Sequence, residues 1–286
     1  MAQNAASPFR LYPPDRITSA VVFASPHSGR DYPAELLRRT VLDERRLRSS
    51  EDAFVDRLLE AAPDHGATVL AAQAPRAWVD LNRAADELDP ALIDGLRPAP
   101  RSPRVMAGLG VIPRVVAGGR QIYSGKITLA EAQARLDTVW TPYHRHLSTL
   151  LDGVAARFGQ AILIDVHSMP GEALDGFGAA RPHIVLGDRF GAAAAAWVMD
   201  GVEAAFRAEG FRVRRNSPFA GAYITQAYGR PARNRHVIQV EIDRALYMDE
   251  AQIRPAPTFA AFARGFERVI GRIARLAGGQ SRLAAE

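Results

Sequence analysis

Cysteine is absent from this chain of 286 residues. No disulfide can staple it, and any metal site must be built from histidine and carboxylate rather than thiolate. Lysine is nearly absent too: Lys126 stands alone, and arginine supplies 35 of the 36 basic residues behind the net charge of +5. That bias looks compositional. The basic residues are interleaved with acids, as in Asp43-Glu44-Arg45-Arg46, instead of forming a stripe, so no nucleic-acid partner is expected. No run approaches the roughly 18 apolar residues of a membrane span. Residues 1–14 lack the basic-then-apolar order of a signal peptide, and the expectation is a cytoplasmic protein without a membrane partner. Missing as well are GxxxxGK[ST], a strand followed by GxGxxG, and GxSxG, which argues against a phosphate cradle and a serine hydrolase.

What is present is an ordinary globular composition, 48% hydrophobic and 23% charged, long enough to bury a substantial core. The central stretch is Ala161-Ile-Leu-Ile-Asp-Val-His-Ser-Met-Pro170. Its β-branched apolar run predicts a buried strand of an α/β sheet, ending in Asp165 and His167 on one face. Strands of this kind present functional side chains at their carboxyl ends. His167 is therefore a candidate metal ligand, or else a strand cap with Asp165 paired to an arginine. Ser19–Ala24 repeats the arrangement, running into Ser25-Pro26-His27-Ser28-Gly29, where glycine permits close backbone approach to a ligand.

Further strands are predicted at 67–72, 76–81 (ending in Asp80-Leu81-Asn82-Arg83), 183–186, 211–214 and 235–242 (ending in Glu241-Ile242-Asp243-Arg244). A helix is predicted over 43–62, with Glu51 and Asp52 where acids suit capping. Residues 84–126 read as an ordered loop region over the site, carrying Arg104, Arg114, Arg120 and Tyr123. Thr128 opens a capping box with Glu131 and a helix to about 158, interrupted at Pro142; its His144 and His146 face solvent, pair with acids, or bind metal. Helices at 192–208 and 255–276 complete the pattern, with loops at 171–182 (carrying Arg181) and 217–229. No repeat or Pro/Ser-rich linker appears, so a single domain over 1–286 is expected: an irregular lead-in at 1–17, a core at about 18–250 and a C-terminal helix at about 255–277.

Polar groups thus gather at four strand ends, His27, Asp80-Asn82-Arg83, Asp165-His167 and Glu241, with Asp52 added from a helix start. Two histidines, one carboxylate and an open position make a catalytic zinc site, and a nearby glutamate can serve as base. The motifs Pro26-His27-Ser28-Gly29, Ser50–Asp56, Val79–Arg83, Ile164–Pro170 and Gln239–Ile242 resemble, in order and spacing, those of the N-formylglutamate amidohydrolases. Gly110–Pro113, Ile122-Tyr123 and Pro142-Tyr143-His144 look like its histidine-degradation branch. The resemblance covers roughly residues 18–250. It implies a three-layer α/β/α fold with a central mixed, largely parallel sheet, like zinc carboxypeptidases and aspartoacylases. It also implies one zinc per chain on His27, an acid and His167, with Glu241 as base. The family has an Asp-x-Asp pair where this chain begins with Ser50, which points to Asp52, with Glu51 as the alternative. Arg83 resembles the arginine that holds substrate carboxylate, beside Asn82. A small anionic substrate needs further cations, for which Arg104, Arg114 and Arg181 are candidates, with Tyr123 also lining the site. The implied reaction is hydrolysis of N-formyl-L-glutamate to L-glutamate and formate. The alternatives are a zinc amidohydrolase of another N-acyl amino acid or peptide, and a non-catalytic ligand-binding homologue. Oligomeric state is left open.

Overall fold

The computed structural model describes residues 7–96 and 102–276. Its strands are β1 (Phe9–Tyr12), β2 (Val21–Ser25), β3 (Thr68–Ala72), β4 (Val115–Val116), β5 (Arg120–Gln121), β6 (Ala161–Met169), β7 (Ile184–Gly187), β8 (Val213–Arg215), β9 (Arg235–Asp243), β10 (Met248–Asp249) and β11 (Arg254–Pro255). Seven of them form one sheet in the order β1-β3-β2-β6-β9-β7-β8. β6 runs parallel to both β2 and β9, β7 runs parallel to β8, and β7 and β9 pair antiparallel. With helices between its strands this is the three-layer α/β/α class, with a mixed, largely parallel sheet.

All nine residues of β6 and eight of nine in β9 are buried. Burial on both faces explains why β6 opens as a continuous apolar run; β9, Arg235-His-Val-Ile-Gln-Val-Glu-Ile-Asp243, alternates in sequence and is buried nonetheless. The polar residues in the later halves of the two strands stand in register: Asp165 opposite Gln239 and His167 opposite Glu241. Residues two apart share a face, so this pairing sets Asp165, His167, Gln239 and Glu241 side by side.

The described chain folds as two compact units. One takes the chain up to Arg10, Pro26–Glu51 and Ala71–His146; the other takes Leu11–Ser25, Asp52–Leu70 and Leu147 onward.

Several elements differ from the sequence expectation. The lead-in contains a strand, β1. The helix expected over 43–62 is broken into Glu44–Leu47, a 3-10 turn at Arg48–Ser50 and Val55–Leu58. Phe54 sits at the break with φ 67, a conformation uncommon for a bulky residue and a form of strain that concentrates at functional sites. Residues 76–81 form turns instead of a strand: Trp78 and Val79 N–H donate to the Pro75 carbonyl, and Asp80 N–H donates to Val111 O. An apolar run without a neighbouring edge to pair with does not become a strand. The helix expected from Ala192 spans Ala196–Arg207, a helix at Tyr223–Tyr228 occupies part of the expected 217–229 loop, and the C-terminal helix spans Phe259–Ala274. Part of the 84–126 loop, residues 97–101, and the chain beyond 276 lie outside the described residues.

The long helix carries its interruption as a widened turn. An α-helix at Leu129–Arg135 gives way to a π-helical turn at Leu136–Trp140, closed by the Thr141 N–H on Leu136 O, and then to α-helix from Thr141 to Phe158. Pro142 has no N–H to continue an ordinary ladder and crowds the preceding turn. One extra residue in the turn relieves both problems.

Candidate active site

β6 places His167 between two buried carboxylates. Its Nε2 lies 3.0 Å from Asp165 Oδ2, and its Nδ1 lies 3.0 Å from Asp52 Oδ2. Burial alone would lower the imidazole pKa. The adjacent Asp165 charge and the hydrogen bonds to Asp165 and Asp52 outweigh this and hold it well above its ordinary value. Among the described residues Asp165 Oδ1 has no hydrogen-bond partner, so this buried carboxylate is committed to His167 through Oδ2. The other oxygen of Asp52, Oδ1, accepts from Ser168 Oγ and from Arg244 Nη2, each at 3.2 Å, and Arg244 Nε donates to Ser168 Oγ at 3.1 Å. Arg244 was not among the residues singled out from sequence, although its position just beyond Glu241 on a strand end was a usable signal.

Asp52 and Glu51 are adjacent but differently engaged. The Glu51 carboxylate accepts from Tyr32 Oη at 2.6 Å and from Arg48 Nε and Nη2 at 3.0 and 3.2 Å. The broken helix makes the difference, since a continuous one over 43–62 would leave both acids in its interior.

His27 follows β2 and has the same kind of partner as His167. Its Nε2 lies 2.8 Å from Asp80 Oδ1, which also accepts the Asn82 N–H at 2.8 Å, while Asp80 Oδ2 accepts from Arg76 Nε at 2.9 Å. Burial would raise the Asp80 carboxyl; Arg76, His27 and Arg83 outweigh it and hold it well below the usual carboxylate range. The glycine of this motif does something other than approach a ligand. A Cβ on Gly29 would stand 2.1 Å from Ala74 O, so the position admits the neighbouring backbone.

A carboxylate on one ring nitrogen is the usual way a metal-binding imidazole is oriented, and both histidines have one. His27, Asp52 and His167 are buried and each offers a ligand atom, these atoms lying within 4.8 Å of one another. Donors about 2.1 Å from one tetrahedral ion stand roughly 3.4 Å apart, so the 3.0 Å between His167 Nδ1 and Asp52 Oδ2 suits a shared cation. Nitrogen and oxygen donors of this kind are those that zinc accepts.

Glu241 stands opposite His167 in register on β9. Its Oε1 accepts from Gln239 Nε2 at 2.8 Å, and Gln239 Oε1 accepts the Ala222 N–H at 3.0 Å, so a loop amide fixes the glutamine that fixes the glutamate.

The arginine candidates separate by their partners. Arg83 is 7% exposed. It donates Nε to Leu109 O and Nη1 to Asn82 O, and no acceptor among the described residues meets its Nη2. Burial lowers the Arg83 pKa. Asn82 is buried beside it. Arg104 is exposed, and its charge reaches Arg83. Arg114 Nε is paired with Asp89 Oδ2 at 2.9 Å, Tyr123 Oη accepts from Arg135 Nη1 at 2.8 Å, and Arg181 grips Asp243 through two bonds of 2.8 and 2.9 Å. Those three have internal partners.

His144 and His146 do not join the metal-ligand group. His144 Nε2 is 2.9 Å from Leu81 O, and the His146 ring packs 4.9 Å from that of Phe9. Burial pushes the His144 pKa down to about 4, against a smaller opposing effect of the Leu81 carbonyl. Unfolded, the same ring protonates near pH 6.5. Between these values the unfolded chain binds more protons, so stability falls as pH drops from 6.5 towards 4 and this contribution then levels off. The full effect is roughly 3 kcal/mol. Urea unfolding of His144→Gln from pH 7 to 4 should show a shallower loss than the parent; equal slopes would assign the loss to other groups.

Proteins of known name resemble this chain. The family model for N-formylglutamate amidohydrolase matches residues 19–248. An N-formylglutamate deformylase of Pseudomonas aeruginosa is 34% identical over 236 residues, covering 80% of this chain and 82% of the relative. One from Pseudomonas putida is 31% identical over 237 residues, covering 81% and 83%. The crystal structure of N-formylglutamate amidohydrolase from Ralstonia eutropha superposes with a TM-score of 0.87 at 38% identity, covering 94% of this chain and 98% of that one. A gene product of Agrobacterium tumefaciens shares the fold at 17% identity, with a TM-score of 0.63 and coverage of 93% and 94%. With the model matched across most of its length and relatives above 30% identity over four-fifths of it, the chain belongs to the N-formylglutamate amidohydrolase family.

Proposed function

We propose that this protein is a zinc-dependent deformylase of N-formyl-L-glutamate, yielding L-glutamate and formate, and that it serves histidine degradation in the cytoplasm. The names of its relatives support the substrate. The observation that carries the metal is His167, held at Nε2 by Asp165 with Nδ1 on Asp52. His27, Asp52 and His167 would hold the ion, one per chain.

Zinc, when bound, polarises the formyl carbonyl and lowers the pKa of a water toward neutrality. Asp165 and Asp80 keep His167 and His27 in one orientation, and Arg244 with Ser168 occupies Asp52 Oδ1, leaving Oδ2 as the donor. Glu241, steadied by Gln239, accepts the proton of the attacking water and returns it to the leaving nitrogen. The water oxygen bonds to the formyl carbon and the C–N bond then breaks. One water proton reaches the nitrogen through Glu241 and the other is given up by the nascent formic acid to the amine, so formate and the protonated amine leave. Arg83 holds a substrate carboxylate by its unmatched Nη2, a charge-assisted contact suited to a guanidinium. Of the other candidate cations, Arg104 is exposed, whereas Arg114 and Arg181 are each paired with an aspartate, so Arg104 is the candidate for a second substrate carboxylate.

The test is hydrolysis of N-formylglutamate against N-acetylglutamate and N-formylaspartate, with metal quantified in the same sample. About one zinc per chain, loss of activity on chelation and recovery on adding zinc are expected. Full turnover in rigorously metal-free protein would sink the mechanism.

A further inference from the structure

The interrupted helix contributes two side chains to one loop. Trp140 ends the widened π-helical turn and His144 lies one turn on. Their rings stack with centroids 4.1 Å apart and a 38° tilt. Trp140 Nε1–H donates to Arg83 O at 2.9 Å, and His144 Nε2 is 2.9 Å from Leu81 O. Indole nitrogen can only donate, and an imidazole nitrogen facing a carbonyl must carry the proton. The stacked pair thus grips two carbonyls of a single turn, two residues apart.

That turn is Asp80-Leu81-Asn82-Arg83, which has no strand ladder to hold it. Its further bonds include Asp80 N–H to Val111 O at 2.8 Å, Asn82 N–H to Asp80 Oδ1 at 2.8 Å and Arg83 Nη1 to Asn82 O at 2.8 Å, while the Asp80 carboxylate is anchored by His27 and Arg76. The Trp140 and His144 contacts are made to the main-chain carbonyls of Arg83 and Leu81. A loop places a functional group only as well as its backbone is fixed, and small misplacement of a binding group is costly. The π turn is itself a feature that recurs at functional sites. Here its consequence is specific, because inserting one residue rotates everything after it by about 100° around the helix. Without that shift, Trp140 and His144 would not keep their present relation to the helix that precedes them.

We propose that Trp140 and His144 are positioning residues for the substrate-binding arginine, clamping the backbone on either side of Asn82 so that Arg83 is preset for a substrate carboxylate. The inference rests on the reading of Arg83 given above. It gives a role to a buried histidine that stands outside the candidate metal group and to the widened turn at Pro142.

The experiment compares Trp140→Phe, His144→Ala, His144→Gln, Arg83→Ala and the double variant Trp140→Phe/Arg83→Ala, with zinc content and thermal unfolding checked for each. Substrates are N-formylglutamate and its α-amide and γ-amide. Loss of one hydrogen bond should raise KM for N-formylglutamate roughly three- to tenfold in Trp140→Phe and His144→Ala, with kcat within about threefold. His144→Gln, which keeps a donor, should recover part of the loss. The rise should vanish for whichever amide lacks the carboxylate that Arg83 holds, and Trp140→Phe should add less than about twofold in the Arg83→Ala background. Equal KM increases in both backgrounds, or increases shared by all three substrates, would overturn the clamp while leaving the role of Arg83 standing. If Arg83→Ala itself changes no KM, the reading of Arg83 falls and the clamp with it. Should Trp140→Phe fail to fold, the His144 pair decides the matter alone.

Discussion

Glu241→Gln is expected to lower kcat by ~10²–10⁴-fold or more while zinc content and KM stay close to the parent values. The substitution keeps the side chain's size and one carbonyl oxygen, so the neighbouring Gln239 amide, 2.8 Å from Glu241 Oε1, can still donate to it. What is lost is the ability to take a proton from water as the new bond forms. A group acting only in the transition state shows in kcat rather than in ground-state binding. Arg83→Ala is the contrasting case, because a carboxylate is present before and during reaction, and its loss should fall mainly on KM, about ten- to hundredfold. Steady-state kinetics on both variants, with metal measured, tests the pair together. Near-parental turnover by Glu241→Gln would make Glu241 a structural acid and place the base elsewhere.

His167→Ala should abolish both zinc binding and turnover, and Asp52→Ala should do the same, whereas Glu51→Ala should retain zinc. The first two remove donors that face each other across 3.0 Å. The Asp52 change also leaves Arg244 and Ser168 without their carboxylate, and an uncompensated buried charge is destabilising by roughly 3–5 kcal/mol. A thermal melt is therefore needed to separate loss of metal from loss of fold. Asp52→Asn, which keeps volume and an acceptor but not the charge, should still fold and bind zinc more weakly. Glu51 already has Tyr32 and Arg48, so its removal should cost stability and leave the metal. Zinc lost from Glu51→Ala and kept by Asp52→Ala would move the site by one residue.

The sequence by itself determined the sheet's core strands and the polar residues that close them. β2 and β6 were legible because buried parallel strands need unbroken apolar runs, β9 because its residues alternate, and all three because polar residues closing a strand stand out. His27, Asp165, His167 and Glu241 were visible for that reason, and the ordered motifs around them carried the family. The breaks were not legible. Nothing local in Ser49–Phe54 says that the helix stops, that Phe54 turns left-handed, or that Glu51 goes to Arg48 while Asp52 goes to His167. Those outcomes depend on partners far along the chain. The same holds for Arg76–Leu81, which has the composition of a strand and became a turn for want of an edge to pair with. Pro142 announced an interruption, but only the tertiary structure decided that it would be a widened turn placing Trp140 and His144 on the carbonyls of Arg83 and Leu81. Periodicity and motif record what a segment buries and presents. Which buried acid meets which buried cation is settled by long-range contacts, where an unpaired charge costs more than local propensity can offset.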